Sequence, residues 1–323
     1  GHFSKFCGGV MTVLVTGSTG FLGKHLVSKL FSEYEFEDIV TVSRNRLSLH
    51  VANNENKKHT HYLCDLGNPD PNDNLFKRIC DKHKPETIFH LASIPVVKID
   101  DSDVHGIILN NLVSTQKVVH CAPQDCRVVL ASTVIVYGDW WVGEHDKCVE
   151  SLETRPTSAY GITKRASESF IESYTNMGRI DGVSARLCAT VGEGVTHGVM
   201  KDFIRKLKSD NPNLEALGSA PGSNKPYCHI DDTLSALILL AKSGGNTEYN
   251  VAPDDSVSIE DMAYAVMEGC GITKPINWLG ETANWKGDNR VISVDNSKLK
   301  SIGWNPKFPK SKDAIIDIVR KIS

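Results

Sequence analysis

The chain has 323 residues, 40% hydrophobic and 23% charged, which suffices for a large buried core in one or two coupled domains and excludes a disordered chain. A formal net charge of -3, with both signs interspersed, leaves no concentrated basic patch, so neither nucleic acid nor an anionic membrane is an expected partner. The nine cysteines are odd in number and scattered without C-x-x-C spacing, which argues against a disulfide framework or a zinc site and for a reducing compartment.

The opening stretch Gly1–Val10 resembles a remnant of tag removal and is set aside. No charged segment followed by an apolar stretch and a cleavage site precedes the first strand, so a cytoplasmic location is expected. The apolar run Leu234–Ala241 is far short of the roughly 20 residues a bilayer span needs.

In chain order, Thr12–Thr16, Ile39–Ser43, His61–Cys64, Thr87–Leu91 and Arg127–Ser132 read as buried strands. Helix-period segments Phe21–Phe31, Asn72–Lys84 and Val104–His120 lie between several of them. This alternation predicts an α/β fold with crossover connections and a parallel sheet. After Arg186 glycines and prolines become denser, loops lengthen, and helices are predicted near Met200–Leu207, Asp232–Lys242 and Ile259–Glu268. A smaller substrate-covering region is expected there. Ser258, with Asp261 three residues on, has the spacing of a capping box.

Directly after the first strand, VTGSTGFLGKHLV places Gly17, Gly20 and Gly23 at three-residue intervals before an apolar-periodic helix. One glycine tolerates positive φ, the next lets the backbone approach a pyrophosphate, and the third lets helix and strand pack closely. The helix N-terminus then offers free N–H groups to the anion. The second strand ends VTVSRNR, with Arg44 where an enzyme preferring NAD usually carries a carboxylate for the ribose 2′-hydroxyl. A guanidinium there pairs with a 2′-phosphate, so NADP(H) is favoured, with NAD(H) possible. Asp65 can accept from an adenine amino group or cap a turn.

Tyr160 and Lys164 stand four residues apart in a helical segment, SAYGITKRASESFIESY, so both project from one face. A tyrosine of pKa about 10 needs a neighbouring cation to act as a base near neutrality, and Lys164 supplies one. Ser132 and Thr133, at a strand end within the run LASTVIVYG, offer hydroxyls to bond a substrate oxygen. His90 and His229 lie in apolar strand-like runs and read as satisfied core histidines; Asp231 and Asp232 read as caps of the helix that follows.

VTGSTGFLG, CDL, HLAS (His90–Ser93), NNLVST (Asn110–Thr115), STVIVYGD, YGITK, SARLCATVG, PYCHIDD, YNVAP and DNSKLKSIGWNP together resemble the extended short-chain dehydrogenase/reductase family, in its sugar-nucleotide epimerase/dehydratase branch, nearly end to end. The resemblance implies a doubly wound parallel Rossmann sheet over 12–186, with 228–250 returning to it, and a smaller C-terminal substrate-binding α/β domain from 187–227 and 251–323. It implies a homodimer through the helices at Val104–His120 and Tyr160–Tyr174. Carried over by position, Tyr160 is the acid/base, Lys164 its partner, and Thr133 the hydroxyl on the substrate oxygen. Gly17, Gly20, Phe21, Leu22, Gly23, Arg44, Asp65, Leu66, Leu91, Ala92, Ser93, Asn111, Ser132, Leu187 and Cys188 are expected to line the dinucleotide.

The departures from that pattern narrow the chemistry. Val134 and Ile135 stand where the 4,6-dehydratases carry Asp-Glu and the decarboxylating relatives a Glu, and neither side chain moves protons. Hydride transfer without elimination remains: epimerisation or ketone reduction. Ala189 replaces an Asn, Lys225 an Arg, and Trp285–Lys286 lie where another Arg often stands. Val134, Ala189, Lys225 and Lys286 are therefore the expected substrate contacts, with the lysines attracting a pyrophosphate as point charges. A nucleotide-diphosphate sugar is the expected substrate. The alternatives are an NADPH-dependent reductase of a non-nucleotide carbonyl and a dinucleotide-sensing protein without turnover.

Overall fold

The computed structural model describes residues 11–32, 36–46, 57–94, 103–280 and 291–323. Its first half runs β1 (Met11–Thr16), α1 (Phe21–Ser32), β2 (Phe36–Ser43), β3 (Lys58–Leu63), α2 (Leu75–His83) and β4 (Thr87–His90). A helical stretch follows, α3 (Val104–Ile107), a π-helical segment (Ile108–Val113) and α4 (Ser114–Cys121), and then β5 (Cys126–Thr133). A 3₁₀ turn (Val134–Tyr137), α5 (Ala159–Asn176) and β6 (Ile180–Leu187) complete this half.

The second half comprises β7 (Ala189–Val191), α6 (Val199–Leu207), β8 (Leu214–Ala216), β9 (Asn224–Lys225), β10 (Tyr227–His229) and α7 (Ile230–Lys242). After these come β11 (Glu248–Val251), β12 (Val257–Ser258), α8 (Ile259–Cys270), β13 (Ile276–Trp278), α9 (Ser297–Ser301) and α10 (Ser311–Ile322).

Seven strands form one sheet in the order β11-β6-β5-β4-β1-β2-β3, and every neighbouring pair is parallel. The order reverses at β1, as in a Rossmann fold, and opens a crevice at the carboxyl ends of β1 and β4. Strand alternation sorts the cores. Val13 and Val15 pack with Leu26 of α1 and Leu237 of α7 on one face, while Leu14 packs with Ile79 of α2, Val118 of α4 and Ile171 of α5 on the other.

Several elements depart from the sequence expectation for local reasons. β3 begins at Lys58, three residues early, because KHTHYL at a sheet edge keeps its polar side chains wet and gives no apolar alternation. α2 begins at Leu75 because Asp70 and Asp73 accept from the backbone of Asn72 and Leu75 at 2.9 and 3.2 Å, turns that compete with the helix. The segment predicted as one helix from Val104 is widened to π-helical at its middle. The capping box of Ser258 and Asp261 is present at the start of α8.

Beyond β6 the chain returns to the Rossmann sheet through α7 and β11. α7 packs on α1, β11 extends the sheet beside β6, and α6, α8 and α10 form a helical layer whose buried residues join the core containing Val13. Asp232 is not a cap: His229 Nδ1 takes the Asp231 N–H, and the Asp232 carboxylate, 2% exposed, accepts from Lys307 N and Phe308 N at 2.6 and 2.8 Å. It thereby fixes the segment leading into α10.

Candidate active site

The glycine turn is shaped by contacts that admit no side chain. Gly17 has φ +66°, and a Cβ there would lie 2.7 Å from Ala92 N; a Cβ on Gly23 would collide with Gly17 O. Gly20 differs: a Cβ there would meet only Gly17 O, at 3.4 Å, so its outer side is open. That open side borders a cavity of about 250 Å³. Gly17, Thr19, Gly20, Arg44, Asn45, Asp65, Leu66, Leu91, Ala92, Ser93, Asn110 and Ser114 are among the residues that line it. A pressed-in glycine, an exposed one and a helix N-terminus facing one crevice fit the pyrophosphate of a dinucleotide.

The expected cofactor residues divide in this geometry. Asp65 lines the cavity and also closes an Asx turn, accepting from Gly67 N at 3.0 Å. Asn111 faces away: its amide accepts from Ile94 N at 2.7 Å and donates to Ile94 O and Thr163 Oγ1, both at 3.3 Å, so Asn110 reaches the cavity in its place. Ser132 is likewise turned inward, donating to Glu168 Oε1 at 2.6 Å. Phe21 and Leu22 are partly buried against the core beneath the turn, and a Cβ on Gly192 would touch the Phe21 ring. Leu187 ends β6 and the Cys188 thiol is buried beside Cys228, which raises its pKa well above the ordinary value.

The catalytic candidates converge. Ser158 caps α5 by accepting from Gly161 N at 3.1 Å, which sets the first turn and with it Tyr160. The Tyr160 hydroxyl stands beside that of Thr133, and Thr133 Oγ1 accepts from Ile135 N at 3.2 Å. Lys164, 2% exposed, donates from Nζ to Ala131 O at 2.8 Å, and Nζ lies 5.9 Å from the Tyr160 ring centre. Burial pushes the phenol up to about 12, opposed by the Thr133 hydrogen bond. Burial also lowers the Lys164 ammonium to about 8, opposed by the charge of Glu168. Burial sets the direction of the phenol's shift, while the Lys164 ammonium is engaged by Ala131 O.

Among the expected substrate contacts, Ala189 is exposed on β7 and Lys225 is half-buried on β9. Val134 instead packs into the core. Lys286 lies outside the described residues. His90 is buried between Thr16 and Thr115, and His229 is stacked on Phe308 with ring centres 4.1 Å apart and bonded to Asp317 Oδ2 at 2.8 Å. Both are structural. Thr16, Asn45, Asn110, Glu168 and Arg186 escaped the sequence reading; only Glu168 had a usable signal, one turn beyond Lys164. Among the described residues, no group of three or more His, Cys, Asp and Glu is placed to hold a metal ion, and no helix is long and apolar enough to cross a membrane.

A parallel sheet with a glycine turn at its switch point, a strand-end hydroxyl and a Tyr/Lys pair one turn apart define an extended short-chain dehydrogenase/reductase. The chain belongs to the NAD dependent epimerase/dehydratase family, a family of enzymes whose sequence profile matches residues 13–252. It is 26% identical to UDP-glucuronic acid decarboxylase 6 of Arabidopsis thaliana, over 94% of this chain and 87% of that one. A crystal structure of a UDP-galactose 4-epimerase superposes with a TM-score of 0.76 and 27% identity, covering 97% of this chain and 98% of that one. The UDP-glucose 4-epimerase of Thermus thermophilus, in complex with NAD, gives a TM-score of 0.79 at 23% identity, with 97% and 100% covered.

Proposed function

We propose that the protein is a hydride-transferring epimerase or 4-ketoreductase of a nucleotide-diphosphate sugar, with Tyr160 as acid/base. The observation that carries this is the Thr133 hydroxyl beside the Tyr160 phenol with the buried Lys164 ammonium one turn along α5, in a chain whose glycine turn lines the cavity at the switch point of the sheet. A bound nicotinamide supplies or accepts the hydride at the sugar carbon. Thr133 Oγ1 and the Tyr160 hydroxyl hold the oxygen on that carbon, and Tyr160 gives or takes its proton. Lys164 stabilises the phenolate form by its charge. Val134 is in the core and, like Ile135, is apolar, so neither supplies the additional acid or base that loss of water or of carbon dioxide needs.

Arg44 lies at the rim of the cavity without a carboxylate beside it in the β2 turn, which supports NADP(H) over NAD(H). The relatives act on UDP-sugars by name, which supports a nucleotide-diphosphate substrate, with Lys225 facing its pyrophosphate. A reductase of a non-nucleotide carbonyl is the second reading, favoured by Ala189 and Lys225 standing where the family has Asn and Arg. Exposed Ile108 and Ile162 support a homodimer through the helical stretch Val104–Cys121 and α5, which light scattering of the purified protein measures.

The test is turnover of UDP-, dTDP- and GDP-sugars with each dinucleotide, by the wild type and by Tyr160→Phe. Loss of about 10²–10⁴-fold in the variant is expected for a removed acid/base. Undiminished turnover would overturn the assignment. Failure of UDP, dTDP and GDP alike to bind would leave the second reading.

A further inference from the structure

Three consecutive residues at the end of β5 are held by three consecutive turns of α5. Ala131 O accepts from Lys164, Ser132 Oγ donates to Glu168, and Thr133 stands beside the hydroxyl of Tyr160. Glu168 lies one turn beyond Lys164 on the same helix face. Its side chain is 0% exposed. Oε1 accepts from Ser132 Oγ at 2.6 Å and Arg186 Nε at 2.9 Å, Oε2 accepts from Arg186 Nη2 at 2.8 Å, and Arg165 Nη1 stands 3.9 Å away. Arg186 continues the network to Tyr137 Oη at 3.0 Å, which donates to Asn250 Oδ1 at 2.7 Å.

A bidentate Arg186–Glu168 pair by itself would account for the docking of α5 on β6. It does not require a carboxylate that also grips the strand next to Thr133 and stands one turn from a buried ammonium. We propose that Glu168 is a positioning residue for the Tyr160/Lys164 pair: its charge keeps Lys164 an ammonium, and its bond to Ser132 sets the strand end so that Thr133 meets Tyr160. The inference rests on the catalytic reading of Tyr160 and Lys164 given above.

The charged and titratable groups around Lys164 fit this role. α5 contributes Tyr160 and Glu168, β4 contributes His90, and β6 contributes Arg186 through Glu168, while β5 presents the Ala131 carbonyl. His90 is neutral, because burial and the Lys164 charge push it down to about 3. Of these groups Glu168 is the anion. It opposes the desolvation that has already brought Lys164 to about 8, and so favours the ammonium. A neutral amine could not hold a phenolate one turn away.

The test is the protonation midpoint of Lys164 Nζ, followed by NMR of protein labelled with ¹⁵N-lysine and assigned with Lys164→Arg. Glu168→Gln alone strands Arg186 in the core, so the variant is Glu168→Gln with Arg186→Gln, compared with Arg186→Gln so that the two proteins differ by the carboxylate charge alone. A midpoint lower by one pH unit or more, a tenfold loss of proton affinity, is expected; an unmoved midpoint overturns the charge role. Should the double variant not fold, Ser132→Ala, which keeps the ion pair, tests the positioning role. We expect kcat to fall about tenfold with KM unchanged, and a wild-type kcat overturns that role. Undiminished turnover by Tyr160→Phe would sink the catalytic reading instead, and the Lys164 titration, which needs no turnover, separates the two failures.

Discussion

Thr16 and His90 share a 2.7 Å hydrogen bond whose direction is fixed by the neighbours of the hydroxyl. Thr16 Oγ1 accepts from Leu91 N and Ala92 N, both at 3.1 Å, so its own proton goes to His90 Nδ1. His90 is then the neutral tautomer protonated at Nε2, donating to Thr115 Oγ1 at 3.0 Å, and Thr115 donates to Asn111 O at 2.9 Å. This chain ties the ends of β1 and β4 to the π-helical segment, which frames the dinucleotide crevice.

An acid-labile stability follows from His90. Its folded pKa is lowered to about 3 by burial and by Lys164, against an ordinary histidine value of 6.5. Between those values the unfolded chain binds a proton that the folded one does not, so stability is present above pH 6.5 and falls as pH drops toward 3. The slope from this group approaches about 1.4 kcal/mol per pH unit. Urea unfolding of wild type and His90→Gln at pH 7 and pH 5 checks it. The gap between the two proteins should narrow at pH 5, and a constant gap would refute the assignment.

Gly23→Ala should weaken dinucleotide binding. The added methyl would run into Gly17 O and sit 2.8 Å from Ser18 Cα, both backbone atoms of the turn itself. Neither can rotate away, so the turn must open, at a cost of about 1–3 kcal/mol from overpacking. Fluorescence titration with NADH and NADPH should show at least tenfold weaker binding of both.

Arg44→Ala should weaken NADPH binding about tenfold or more and leave NADH within a factor of about two, since only the 2′-phosphate needs the guanidinium. Equal losses for the two cofactors would place Arg44 on the adenosine rim without a role in discrimination.

Asp232→Ala should loosen the C-terminal layer. It removes the acceptor of the Lys307 and Phe308 N–H groups, and each hydrogen bond to a charged group is worth about 1.5–3 kcal/mol. A fall in Tm of several degrees is expected by calorimetry. Asp232→Asn, which keeps one acceptor oxygen, should recover part of the loss.

The strand–helix alternation through β5, the glycine turn and the Tyr160/Lys164 spacing were legible because each is a local pattern: period two, period 3.6, or a turn that only glycine can make. The capping box at Ser258 was legible for the same reason. Side-chain direction was not. Asn111 and Ser132 stand within motifs of the family, yet both turn inward to Ile94 and Glu168 because buried polar groups must find partners. Likewise Asp232 stands at a helix start, where sequence suggests a cap. It serves a segment some 75 residues later.

By itself, then, the sequence determined the α/β architecture, the family and the spacing that puts the candidate pair Tyr160 and Lys164 on one helix face, all carried by contacts within one or two turns of chain. The tertiary structure decided which hydroxyl meets Tyr160, which way Lys164 points, which tautomer His90 holds and which buried carboxylate faces the ammonium. Those depend on desolvation and on partners from distant strands, and spacing along the chain encodes neither.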